Sequence, residues 1–352
     1  MDGETYRVNS QSGHGVYRVL KKEAVWECSC PDHIYREVKC KHIWAVEFSG
    51  KLREVVVKRV VIEPIDVHAC IYCKSENLIK WGIRHNKYGD IQKFSCKACH
   101  RYFTVNLGFE RMKHNPQGIT TAMQLYFSGE SLRNTAKSLR LIGLDVSHKT
   151  VYCWIRKYVE LMEKYLAQIR PQVSDTWRAD EMWLKIKGNP KYLYALLDDE
   201  TRYWIAKEVG GDKFSRDATD YASVLFRQGK VVTGKRPHTL ITDGLRAYHL
   251  AYKREFFTHK EPTEHIQHIT WRKDQGNEKM EAFNGTIRSR EKVMRSLKCE
   301  DSPILDGYQI YHNYMRPHEG LDGKTPAEAC GVKVEGKNKW LTLIQNAAKQ
   351  KS

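Results

Sequence analysis

Seven of the chain's ten cysteines fall before residue 100, in closely spaced pairs, and only Cys153, Cys299 and Cys330 stand apart. Thiols two or three residues apart in an intracellular chain read as metal ligands rather than disulfides. Cys28-Ser-Cys30 is followed after nine residues by Cys40-Lys-His42. This donor set suits a closed, tetrahedral structural zinc. A second set, Cys70-Ile-Tyr-Cys73 and Cys96-Lys-Ala-Cys99, is separated by 22 residues. Four thiolates are its simplest ligand set, with His68 and His100 as neighbouring substitutes. Segments this short bury too little apolar surface to fold unaided, so the first hundred residues are expected to be small α+β modules held by two structural zinc ions.

Around the first set, Tyr6-Arg-Val8, Gly15–Leu20 and Ala24–Cys28 read as short strands, and His42–Val46 as a short helix. The arrangement resembles the SWIM zinc finger, down to Cys-Ser-Cys-Pro-Asp and Cys-Lys-His, over about residues 5–47. The second set flanks a hairpin with a turn at Asn86-Lys-Tyr-Gly-Asp90, which makes a zinc ribbon.

Lysine and arginine number 59 against 42 acidic residues, a surplus of 17. That surplus favours a polyanionic partner, nucleic acid first and an anionic membrane second. No stretch approaches the roughly 18 apolar residues that cross a bilayer. The start, Met-Asp-Gly-Glu-Thr-Tyr, lacks the basic-then-apolar order of a signal peptide. A cytoplasmic protein, at the nucleoid when bound to DNA, is the expectation. Length alone points to two to four domains.

Residues 111–170 hold ten Lys/Arg against four Asp/Glu. Helical spacing runs through Ile119–Phe127, Ser131 caps Leu132–Arg140, and Ser147 caps a third helix from Lys149 to about Ile169. Val151, Trp154, Ile155 and Tyr158 share one face of that helix. Helix, short turn and basic helix suit an all-α helix-turn-helix that reads a major groove, with Lys149, Arg156 and Lys157 as DNA contacts. A three-helix packing module with solvated basic faces is the alternative.

From Thr176 the pattern turns to strands. Tyr192–Leu197 is continuously apolar, as a strand buried on both faces would be. Asp180 lies in Thr176-Trp-Arg-Ala-Asp-Glu-Met-Trp-Leu-Lys-Ile186, and Asp243 ends the apolar run Thr239-Leu-Ile-Thr-Asp-Gly244. Glu281 opens a helix on which Arg288, Lys292 and Arg295 follow on its own face, while Met280, Phe283, Ile287, Met294 and Leu297 take the other. Carboxylates brought together repel unless divalent cations neutralise them, as in a two-metal phosphoryl-transfer site. A stripe of cations leading away from such a site suits a helix lying along a DNA backbone. Glu278 competes for the third position, but seven residues beyond it comes Gly285, against Arg288 beyond Glu281. The run Asp198-Asp-Glu200 reads as a solvated turn, His259, His265 and His268 as ordinary loop histidines, and Arg316-Pro-His318 as architectural.

Residues 176–328 resemble the DDE domain of insertion-sequence transposases, retroviral-integrase-like with an RNase H-like α/β fold. The matching pieces are Ala179-Asp-Glu181, Thr242-Asp-Gly244, Asn277-Glu-Lys-Met-Glu281 with Arg288 beyond it, and Tyr311-His-Asn-Tyr-Met-Arg-Pro-His-Glu-Gly-Leu-Asp-Gly-Lys-Thr-Pro326. With the ribbon and helix-turn-helix, the match spans about residues 65–328. The resemblance implies Asp180, Asp243 and Glu281 as catalytic ligands of two Mg2+ (or Mn2+) ions, and Arg288 as a DNA contact. The 37 residues between Asp243 and Glu281 slightly exceed the family's usual mid-thirties, and the SWIM finger is an unusual addition.

The expected organisation is a SWIM-like finger (1–55), a zinc ribbon (56–110), a helix-turn-helix (111–170), the catalytic domain (171–330) and a basic C-terminal tail (331–352). The expected function is DNA strand nicking followed by transfer of the freed 3′ hydroxyl into target DNA, by a homodimer or higher oligomer. The alternatives are a structure-selective nuclease on the same fold and a domesticated zinc-dependent DNA-binding regulator.

Overall fold

The computed structural model describes residues 4–9, 16–22, 25–36, 38–46, 60–65, 69–86, 89–104, 107–110, 112–259, 262–268, 278–294 and 297–351. The chain divides into two compact units, Met1–Arg59 and Val60–Ser352.

In the first unit, β1 (Glu4–Asn9), β2 (Val16–Lys22) and β3 (Val25–Cys28) form an antiparallel meander in which Arg7 pairs with Arg18 and Val19 with Cys28. Two short helices follow, α1 (Pro31–Arg36) and α2 (41–46). The core of this unit is Val19 and Ile43 packed round Cys28, Cys30 and Cys40. The thiols are themselves the centre of the core, as expected for a module too small to fold on apolar burial alone.

The second unit opens with β4 (Val60–Ile62) and then a three-stranded antiparallel sheet of β5 (Leu78–Asn86), β6 (Gly89–Cys96) and β7 (Tyr102–Thr104). Its small core comprises Phe103 with Cys70 and Cys96, packed by Leu78, Phe94 and Cys99. The hairpin closes at 86–90 as expected, with Asn86 paired to Gly89 and His85 to Asp90; residues 87 and 88 lie outside the described residues.

Three helices come next: α3 (Pro116–Ser128), α4 (Leu132–Leu141) and α5 (His148–Leu166). Each start is fixed by a side chain that accepts from a first-turn N–H: Asn115 from Gly118, Ser131 from Asn134, Ser147 from Thr150. Val151, Trp154, Ile155 and Tyr158 of α5 are buried, as their spacing requires.

The large sheet has the order β10-β9-β8-β11-β12. β8 (Thr176–Ile186), β9 (Asn189–Asp198) and β10 (Trp204–Gly210) form an antiparallel meander, and β11 (Thr239–Asp243) and β12 (Glu264–His268) continue it parallel to β8. The sheet is thus mixed, an antiparallel meander extended by two parallel strands, within an α/β domain as expected. Between β10 and β12 run α6 (Ala218–Thr233) and α7 (Arg246–Glu255). Buried Trp177, Trp204, Phe226, Tyr248 and Phe256 anchor the core, and β9 is buried along 193–197 as its apolar run requires. Then come α8 (Glu278–Met294), α9 (Pro303–Ile310), a π-helical turn at Tyr311–Met315 and α10 (Pro326–Ala329), with Thr325 in a capping box with Glu328.

Two expectations are corrected. The stretch 331–352 is no tail: β13 (Val332–Val334) pairs in parallel with β4, and α11 (Lys339–Lys351) buries Trp340, Leu343, Ile344 and Ala347. Its lysines hid a face spaced i, i+3, i+4, i+7. Asp198 is not solvated either. It is 1 % exposed, and its carboxylate accepts from the N–H and hydroxyl of both Ser174 and Thr201. Asp199 pairs with Arg178 and Lys279. Among the described residues no helix is long and apolar enough to cross a membrane.

Candidate active site and metal-binding modules

The ladder between β8 and β11 ends at the pair Arg178–Ile241. Asp180 and Asp243 each lie two residues past that pair, at matching places where the strands part. Their carboxylate oxygens and that of Glu181 all lie within 4.8 Å of one another. Asp243 is held from behind, accepting at Oδ1 from the Leu245 N–H at 3.0 Å. Asp180 Oδ1 accepts from the Glu181 N–H at 3.0 Å, and Asp180 Oδ2 accepts from Asn284 Nδ2 at 2.8 Å. Glu181 Oε1 accepts from Lys213 Nζ at 2.6 Å.

Burial first, then the charges of Glu181 and Asp243, push the Asp180 carboxyl up to about 7. Glu181 is raised for the same reasons, by burial and by Asp243, with Lys213 pulling the other way. Glu181 Oε2 and Asn284 Oδ1 are buried without a hydrogen-bond partner among the described residues. Crowded carboxylates with orphaned acceptor oxygens fit a hard divalent cation with oxygen ligands.

The structure therefore joins Asp180 and Asp243, as expected, and adds Glu181. Glu281 is exposed on α8, one turn ahead of Asn284, and is not in the 4.8 Å set. The side chain of Glu278 lies outside the described residues. On α8 the expected division of faces holds: Met280, Phe283 and Ile287 are buried, with Leu297 buried just beyond the helix, while Arg288 and Lys292 are exposed. Arg295 and the Met294 side chain lie outside the described residues. Sequence reasoning missed Glu181, Asn284 and Lys213. For the first two a signal existed: Glu181 adjoins Asp180, and Asn284 stands at i+3 from Glu281 on the same helix face.

His265 and His268 lie on β12 rather than in the loop expected for them, paired with Leu240 and Asp243; His265 Nε2 lies 2.9 Å from the Thr242 hydroxyl, outside the carboxylate cluster. His318 packs edge-on to His312, consistent with an architectural Arg316-Pro-His318. His259 joins no metal cluster among the described residues.

Both zinc sets assemble. The ligand atoms of Cys28, Cys30, Cys40 and His42 lie within 4.8 Å of one another, as do those of Cys70, Cys73, Cys96 and Cys99. His42 Nδ1 stands 3.9 Å from the sulfurs of Cys28 and of Cys40. In the second set Cys70 and Cys99 sulfurs are 3.6 Å apart and those of Cys73 and Cys96 3.5 Å. Tetrahedral zinc with Zn–S bonds of about 2.3 Å requires sulfurs roughly 3.8 Å apart, so both sets fit. Within this set backbone N–H groups, that of Cys99 first, bring Cys96 down. Cys99, against the pull of the Arg101 N–H, is raised by burial and the neighbouring thiols, as expected of thiols sharing charge before a metal neutralises it. His100 is outside the set, and His68 lies outside the described residues.

On the helical module, Lys149, Arg156 and Lys157 of α5 are exposed, as are Arg133, Lys137 and Arg140 of α4.

Residues 174–318 match the family model of a DDE domain, and residues 16–51 that of the SWIM zinc finger. The chain is 29% identical over 141 residues to the transposase for the insertion sequence-like element IS431mec of Staphylococcus aureus, covering 38% of this chain and 61% of that protein. The same figures hold for the transposase for insertion sequence element IS257 in transposon Tn4003 of Staphylococcus aureus. The chain thus spans 61% of the length of these relatives. Among solved structures, the HTLV-2 integrase catalytic core domain in complex with magnesium aligns at a TM-score of 0.31 and 16% identity, over 46% of this chain and 98% of that one. Residues 174–318 are thus similar to a DDE domain and residues 16–51 to a SWIM zinc finger, within a chain that resembles these transposases over 38% of its length.

Proposed function

We propose that the chain is a DNA transposase: it binds the ends of a mobile element, nicks a strand, and joins the freed 3′ hydroxyl to target DNA. The observation that carries this reading is the pairing of Asp180 and Asp243 at the fork between β8 and β11, with α8 tied to Asp180 through Asn284. Asp180, Asp243 and Glu281 would hold two divalent cations, Mg2+ or Mn2+. When bound, the pair supplies activation of the attacking hydroxyl and neutralisation of charge on the leaving oxygen.

The residues of the chain do the rest. Asn284 orients Asp180, and Leu245 fixes Asp243, so both carboxylates are held before substrate arrives. Glu281 stands one turn from Asn284, where it is the third acid available from α8. Arg288 and Lys292, exposed beyond it, would lie along the phosphate backbone, and Lys149, Arg156 and Lys157 would hold the duplex end on α5. Joining two ends in concert calls for at least a dimer on DNA. The chain's relatives in Staphylococcus aureus carry the transposase name, which supports the reading.

The test is incubation of purified protein with a labelled end fragment, a target plasmid and Mg2+. Joined product supports the reading, nicked product alone would favour a nuclease, and binding with neither a regulator.

A further inference from the structure

The ribbon sheet presents one face that its own zinc and core do not use. Register alternation turns Phe94 and its partner Phe103 inward, where they stack at 5.7 Å between ring centroids. It turns Lys93, Tyr102 and Thr104 to the other face, where Tyr102 is exposed and Lys93 and Thr104 are half-buried. A bulge between Lys80 and Gly82 inserts Trp81 beside them. Trp81 is 54 % exposed and Tyr102 48 %, with their rings 5.4 Å apart. Lys93 Nζ sits 5.0 Å from the Tyr102 ring centre. Arg84, paired with Ile91 two residues from Lys93, extends the outward face with a further exposed cation. Residues 69–104 carry seven Lys/Arg against two Asp/Glu.

Two large aromatic rings left in water beside cations are costly unless something covers them. We propose that this face binds unpaired DNA bases, with Trp81 and Tyr102 as the stacking platform and Lys93 and Arg84 on the adjoining phosphates. The charge excludes an acid-poor or cationic protein partner and fits a polyanion. The exposed rings decide which kind. A β-ribbon can read a groove through polar side chains, but the bases of an intact duplex are already stacked on each other and leave no π face for Trp81 and Tyr102. An unpaired base offers its π face to any ring, whatever its sequence. The inference rests on the transposase reading only for where such bases arise, at the opened flank of an end. Binding itself needs neither the carboxylate site nor added Mg2+.

The test uses the full chain, zinc-loaded, with no divalent cation added. Fluorescence anisotropy compares a labelled thymine-only single strand with a blunt duplex of equal length. Trp81→Ala weakens single-strand binding about tenfold or more and leaves duplex binding within twofold; Trp81→Phe restores most of the loss. Arg156→Ala gives the reverse pattern. Zinc content of each variant is measured, so that a collapsed ribbon is recognised; Tyr102→Ala is then the second reading of the same face. Unchanged single-strand affinity in folded Trp81→Ala and Tyr102→Ala overturns the proposal. So does equal loss on both probes, or loss of self-association with no effect on DNA. Failure of strand joining in the wild-type chain, with the single-strand preference intact, would count against the transposase reading and not against this site.

Discussion

Asn284 of α8 donates from Nδ2 to Oδ2 of Asp180 at 2.8 Å, across 104 residues of sequence. This bond ties the helix that carries Glu281 to the strand that carries Asp180. Replacing Asn284 with Leu keeps the volume but removes the donor, leaving Asp180 free to turn and the helix free to shift. Strand nicking is expected to fall about 10- to 100-fold, since small misplacements at a reacting centre cost that much. Duplex affinity, proposed above to rest chiefly on α5, is expected to stay within a few-fold. Single-turnover nicking and anisotropy on the same preparation measure both.

The Asp180 carboxyl, pushed up to about 7 by burial and its acidic neighbours, makes the metal-free fold pay for its site. The folded value lies above the unfolded one, so the native state binds more protons between pH 4 and 7 and loses stability as pH rises through that window. Asp180→Asn removes the buried charge. At pH 8 without metal, its Tm should exceed that of the wild type, by an amount corresponding to on the order of 3 kcal/mol. At pH 4 the two should nearly coincide. A lower Tm for the variant at pH 8 would contradict the assignment of strain to this carboxylate.

His312 is fully buried beside Phe283 and Trp204, with Nε2 2.9 Å from the Arg202 carbonyl, and burial drives it down to about 3. His318, ring against ring with it, is brought down to about 4, also by burial first. Both folded values lie below the unfolded 6.5, so their contribution is complete above that value and is lost as pH falls below it. At pH 5.5 each histidine costs about 1.4 kcal/mol relative to pH 8, roughly 3 together. Urea unfolding at the two pH values, compared with His312→Gln, checks the sign and the size.

Zinc removal should act locally. The thiols of residues 28–42 form the core of the first unit, and those of residues 70–99 the core of the ribbon. The continuous core, whose members run from Ile62 to Ile344, contains none of the seven N-terminal cysteines. A chelator is expected to expose the two zinc modules, within residues 4–46 and 69–104, to protease while leaving a resistant core from about residue 107 onward, with β4 held on β13. Protection of the first hundred residues after complete zinc loss would show that the metal does not hold these modules.

Signals confined to a few neighbouring residues were legible in the sequence. The caps Ser131 and Ser147, the two zinc sets and the buried run of β9 are all fixed by local chemistry. Asp180 and Asp243 were legible because each ends or interrupts an apolar strand. Glu181 and Asn284 carried a signal only through their places beside Asp180 and Glu281, whereas Lys213 meets Glu181 from 32 residues away and leaves none. Asp198 looked like part of a solvated acidic turn because its four donors come from Ser174 and Thr201, and Ser174 lies 24 residues away. The α11 face was present in the spacing of Trp340, Leu343, Ile344 and Ala347, and was masked by the basic residues between.

The central claim is that three carboxylates, two from the strand fork and one from α8, act on one phosphate. The most direct measurement is Mg2+-dependent strand joining by Asp180→Asn, Asp243→Asn and Glu281→Gln, with duplex affinity as control. The account predicts loss of joined product by about a thousandfold or more in each, with affinity within a few-fold of wild type. Full joining by Glu281→Gln, with loss on Glu181→Gln instead, would contradict it.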